Sequence, residues 1–164
     1  MATDPPIHPR QMLITPAGEH VDVDVDMVPV IGELWRLGFT TTACCQDVGE
    51  ATAGVREQRD SPLGYGGDAF IDYHRGWALL KLPTLDAFRL VALLAEVPSF
   101  ADRVRHPWRP DSWRMNVPFE PSGLADAALL HFPSPQIPQL AEALGVVFKC
   151  HAHIRSDARV TAAW

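Results

Sequence analysis

The chain has 164 residues, 47% hydrophobic and 21% charged, with a formal net charge of −6 and a pI near 5.5. That length fits one domain with a core large enough to need no covalent staples, and those fractions exclude wholesale disorder. The acidic balance argues against a nucleic-acid partner, because phosphate backbones demand clustered Lys and Arg.

Of the 14 basic residues only Lys81 and Lys149 are lysines. A local basic group at Arg103, Arg105, His106, Arg109 and Arg114 reads as a solvated loop rather than an anion site. Met1 to Pro9 lacks the charged and apolar stretches of a signal peptide. No apolar run approaches the roughly 20 residues of a membrane span. Cys44, Cys45 and Cys150 are too few for a disulfide framework, so reduced thiols in a cytoplasmic protein are expected.

Residues 1–10, with little apolar content, read as a flexible arm, and 11–164 as one domain. Gln11 to Thr15 reads as a short strand. His20 to Asp26 alternates, with Val21, Val23 and Val25 on one face and Asp22, Asp24 and Asp26 on the other. The aspartates form a row rather than a convergent set, so a solvated edge is expected. Asp26 is placed to cap a helix carrying Val28, Ile31, Leu34 and Trp35, with Pro29 in its first turn and Gly38 at its end. Phe39 to Cys45 follows as a strand, completing a β-α-β unit.

Gln46 to Gly67 reads as a long Gly-rich loop. Asp68 to Tyr73 and Trp77 to Leu82 read as a hairpin, followed by a helix capped by Thr84. Ser112 to Phe119 and Ala127 to Phe132 read as strands, Pro135 to Leu144 as a helix closed by Gly145, and Val146 to Ile154 as a final strand. Ala78 to Thr84 echoes Ala128 to Ser134 at an offset of 50, each running strand, proline, hydroxyl residue, helix. Two packed β-β-α units would account for the echo. The expected fold class is α+β: a mixed, mostly antiparallel sheet with about three helices on one face, ferredoxin-like in character.

Two places could carry chemistry. At the end of the strand leading to the long loop lie Cys45, Gln46 and Asp47, where sites are commonly grafted. Cys45 is a candidate catalytic thiol if His74 or Arg75 lies beside it, and a packed small hydrophobe otherwise. Gln46, Asp47 and Trp77 are candidate ligand contacts. The second place is Cys150-His151-Ala152-His153, where His151 and His153 share one face of the expected strand. With His131 as a third ligand they make a candidate zinc site; as outer-face polar residues they make none. No dinucleotide fingerprint, phosphate loop, nucleophile elbow or zincin motif is present.

The stretch from Ile31 to Thr42, running into Cys45-Gln46, resembles a pattern in small actinobacterial and phage proteins. There a helix ending Leu-Trp, then Gly and a short strand, precedes Ser-Cys-Gln. Cys44 stands in place of that serine. The likeness covers residues 20–47 and, faintly, 68–95. It implies no activity, since none is attached to that group. A fainter likeness links Thr41 to Gln46 with wybutosine-synthesis methyltransferases, but their following glycine is absent here and the acidity suits tRNA poorly.

The expectation is therefore a small binding or regulatory module for a small molecule or protein, without a cofactor. Its rival is a small metal- or thiol-dependent enzyme using the His-x-His pair or Cys45.

Overall fold

The computed structural model describes residues 7–54 and 67–147. Elements run β1 (Arg10–Ile14), β2 (His20–Asp24), a 3₁₀ turn (Val25–Met27), α1 (Val28–Arg36), β3 (Ala43–Cys45), α2 (Val48–Gly54), α3 (Asp68–His74), β4 (Trp77–Pro83), α4 (Thr84–Ala95), α5 (Ala101–Arg105), β5 (Arg114–Asn116), β6 (Phe119–Glu120), β7 (Gly123–Leu124) and β8 (Ala127–Pro133). A second 3₁₀ turn (Ser134–Gln136) leads into α6 over 137–147. The class is α+β.

The central sheet is antiparallel throughout, in the order β3-β4-β8-β5. Separate two-stranded ladders join β1 to β2 and β6 to β7. In β4 and β8 every second side chain is buried: Ala78, Leu80 and Leu82, and Ala128, Leu130 and Phe132. Period-two alternation turns these six to one face, where they join Ile31 and Leu34 of α1, Leu90 and Leu94 of α4, and Leu140 and Leu144 of α6. Each such leucine, fully buried, contributes roughly 1.5–3 kcal/mol. Trp113 closes one end, stacked on Phe132 at 4.5 Å, with its indole N–H donating to Gln136 Oε1 at 3.0 Å.

The echo at an offset of 50 has a structural basis. Leu80 pairs with Leu130 at the middle of the β4–β8 ladder. Thr84 N–H donates to Asp126 O and Ser134 N–H to Gly76 O, both at 2.8 Å, and these are equivalent bonds at the two ends. The two strand–proline–helix units are thus related by a local two-fold axis through the sheet.

Several local expectations are corrected. Asp68 to Tyr73 is helical, not a strand: Ile71 N–H donates to Gly67 O at 3.0 Å, one helical turn back, and Ile71 is the buried residue of α3. Residues 48–54 of the expected loop are α2, and the remainder, 55–66, lies outside the described residues. Only Ala43–Cys45 of the expected strand from Phe39 is extended in the sheet, and β2 pairs elsewhere, so 20–45 is not a β-α-β unit of one sheet. The strand expected over 112–119 is broken into β5 and β6. Neither Asp26 nor Thr84 caps a helix: Asp26 N–H donates to Gln46 Oε1, and the Thr84 hydroxyl donates to Ala125 O. Gly145 does not stop α6, which carries Val146 and Val147; the rest of the expected last strand lies outside the described residues.

Candidate functional site

The end of β3 is the meeting point of four segments. Pairing of Arg10 with Asp24 lays the first described residues along β2, and Pro9 O accepts Val25 N–H at 2.9 Å. His8 is thereby buried, 5% exposed, in the stretch read from sequence as an arm. The chain leaves β2 at Asp24, runs through α1, turns at Gly38 (φ 79°) and enters β3. Gln46 N–H then donates to Asp24 Oδ2 at 3.0 Å. Asp47 Oδ1 accepts Glu50 N–H at 2.9 Å and so starts α2, while its Oδ2 accepts Gly76 N–H at 2.7 Å. Asp47 is therefore engaged as a backbone tie at both oxygens.

These ties bring His8, Asp24 and Cys45 together, with one donor atom from each lying within 4.8 Å of the others. His8 Nδ1 stands 3.2 Å from Asp24 Oδ2 and 4.0 Å from Cys45 Sγ, and His8 Nε2 stands 3.4 Å from Glu50 Oε2. Arg10 Nε approaches Asp24 Oδ1 at 3.5 Å. Asp24 is 5% exposed, the opposite of the solvated aspartate row expected from alternation. Burial pushes the Cys45 thiol up to about 12, reinforced by the Asp24 charge and relieved in part by a backbone hydrogen bond at Asp47. Burial likewise pushes Cys44, which packs against the core, to about 11. Both thiols are free and protonated at neutral pH, so neither is an activated nucleophile as it stands.

Beside this cluster lies a cleft of about 550 Å³. Its lining includes the apolar residues Val25, Pro29, Pro135, Ile137, Pro138 and Ala141. The polar lining residues are Asp26, Gln46, Asp47, Glu50 and Ser134. The Ser134 hydroxyl donates to Gln46 O at 2.5 Å and pins the first turn after β8 to the strand end. Glu50 and Gln46 belong to both the cleft and the buried cluster. A cavity of about 620 Å³ between the end of α4 and α6 is lined, among the described residues, by Glu96 and Glu142 and by no thiol or imidazole.

The remaining sequence candidates gather elsewhere. Cys45, Leu79, His131 and Arg114 stand in one row across the sheet, on the face opposite the main core. Two strand spacings, roughly 10 Å, separate Cys45 from His131, and the imidazole beside the Cys45 thiol is that of His8, at 4.0 Å. His74 closes α3, with its Nδ1–H donating to Phe70 O at 2.9 Å and its ring 5.0 Å from that of His131. Trp77 lies under the Arg114 guanidinium at 3.8 Å, away from the cleft. Burial, with the charges of His74 and Arg114, lowers His131 to about 4. His151 and His153 lie outside the described residues. Arg103, Arg105 and Arg109 of the basic group pair with Asp111, Glu96 and Asp102.

Sequence reasoning missed His8, Asp24 and Glu50. The available signal was Asp47 three residues before Glu50, a helix-start pattern; nothing local marks His8. No family model matches the chain, and neither a curated protein nor a solved structure does. No helix among the described residues is long and apolar enough to cross a membrane.

Proposed function

We propose that the protein is a small binding module whose ligand is an amine-bearing small molecule held in the cleft at the end of β3. The observation that carries this reading is the lining: Asp26, Asp47 and Glu50 together with prolines and other apolar residues, with no Lys, Arg or His among the described lining residues. A volume near 550 Å³ lies in the range of small-molecule sites. An ammonium group near one of these carboxylates gains about 1–4 kcal/mol of Coulomb energy at surface-like dielectric, before desolvation. The apolar body of the ligand covers Ile137, Pro138 and Ala141.

The test is a thermal-shift panel on the full chain, using aliphatic and aromatic amines and their neutral alcohol counterparts. Amines raise the melting temperature and alcohols of the same shape do not. Ala141→Trp, which fills the cleft, and Asp26→Asn, which removes a lining charge, reduce the response. Equal shifts from amines and alcohols, or amine binding that survives Ala141→Trp, would defeat the reading.

A further inference from the structure

We propose that His8, Asp24 and Cys45 form a binding site for one divalent metal ion of the zinc type, beside the cleft. The inference does not depend on the amine reading, since none of the three metal ligands lines the cleft; Glu50 alone belongs to both sites.

Geometry is the first argument. Zinc bonds of roughly 2.0–2.3 Å place neighbouring donors of a tetrahedron about 3.3–3.7 Å apart. The two separations from His8 Nδ1, 3.2 Å to Asp24 Oδ2 and 4.0 Å to Cys45 Sγ, bracket that range. The third pair, Asp24 and Cys45, also has donor atoms within 4.8 Å of each other, so the three donors need only close in by side-chain movement to share one centre. They arrive from the stretch before β1, the end of β2 and the end of β3, so each is held by a different backbone.

The second argument is the outer side of the imidazole. A metal-bound histidine usually donates its other N–H to a carboxylate, which fixes the tautomer and the ring plane. Glu50 Oε2 stands 3.4 Å from His8 Nε2 and fills that role. With the proton on Nε2, the Nδ1 lone pair points at Asp24 and Cys45. The 3.2 Å contact between His8 Nδ1 and Asp24 Oδ2, both residues buried, is a hydrogen bond when the proton sits on Nδ1, and with the proton on Nε2 it leaves two donor atoms facing each other where one cation can join them.

The third argument is the donor set. One nitrogen, one oxygen and one sulfur suit a borderline ion, whereas a sulfur ligand disfavours calcium and magnesium. Coordination requires the thiolate: Cys45 loses its proton to solvent as the sulfur–metal bond forms, and no electron is transferred. The charges of the ion, Asp24 and the thiolate then sum to zero, which lowers the cost of burying the centre. Three protein ligands leave a fourth position for water or for a ligand group, the arrangement of reactive rather than structural zinc sites.

The experiment uses the full chain, stripped with a chelator and titrated with Zn²⁺ against a chromophoric chelator, and in parallel with Co²⁺. We expect one equivalent of each metal, and for cobalt a thiolate-to-metal charge-transfer absorption with tetrahedral d–d bands. Cys45→Ser removes the charge-transfer absorption, whereas Cys44→Ser retains it. His8→Gln weakens zinc binding on the order of 100-fold or more, and Glu50→Gln weakens it about 10–100-fold while keeping the cobalt spectrum. Circular dichroism and melting curves establish that each variant is folded, and the wild-type cobalt spectrum is decisive without any variant. Absence of stoichiometric zinc and of the charge-transfer absorption in the wild type overturns the proposal. So does a metal lost on His151→Ala, His153→Ala or Cys150→Ser but kept in Cys45→Ser. Loss of amine binding in Ala141→Trp with zinc binding intact separates this site from the cleft reading.

Discussion

Leu80 and Leu130, fully buried, stand directly opposite each other at the middle of the β4–β8 ladder. They occupy equivalent places in the two strand–proline–helix units, and their side chains share the helix-covered face. Truncating either to alanine opens a cavity where α4 and α6 converge, and should cost about 2–5 kcal/mol in urea denaturation. Because facing residues share one cavity, the double variant should depart from additivity by about 0.5–3 kcal/mol. Strict additivity would show that the two units pack independently.

Gly49 is required by close approach. A Cβ placed there would lie 2.6 Å from Arg75 N and Cα and from Ile71 O, all backbone atoms of the α3 end. Backbone cannot rotate away as a side chain can, so Gly49→Ala should destabilise by about 1–3 kcal/mol. Since Glu50 is the next residue, the variant should also weaken binding in the cleft. Unchanged melting would show that α2 does not rest on α3.

The thiols should be slow. In a Cys150→Ser background at pH 8, raising Cys45 from 9.0 to about 12 leaves on the order of a thousandfold less thiolate than the ordinary value gives. Maleimide labelling of the native chain should therefore lag far behind labelling in guanidinium. Equal rates would place Cys45 in an open, electropositive setting.

His131 should make the fold acid-sensitive. Its folded-state value is lowered from 6.5 to about 4, so the unfolded chain binds the extra proton first as pH falls. Its contribution to stability is intact above about 6.5 and is lost as pH drops through about 4. His131→Gln should flatten the fall in melting temperature across that window relative to the wild type. An identical pH profile would show that the imidazole is not desolvated.

What the sequence determined by itself was whatever repeats locally. Alternation over residues 78–82 and 128–132 shows which side chains face the core, because a strand's period of two is visible in any five residues. Pro29 and Gly38 mark the ends of α1 for equally local steric reasons, and both serve as expected. The offset of 50 between like segments was likewise visible, and the β4–β8 register accounts for it.

Tertiary structure alone decided the partners of Cys45. His8 lies 37 residues before it, and Glu50 lies 42 residues after His8. No period connects these positions, so neither a pattern nor a spacing could have joined them. The same holds for α2 and α3, seven residues each, which are too short to persist on propensity alone and exist because each rests on the other. Asp24 shows the difference most directly. Alternation assigned it to a solvated edge, but the chain ahead of β1 folds back over β2 and the turn after β3 offers it an N–H. A side chain's face follows from its own strand, whereas its burial follows from what the rest of the chain lays on that face.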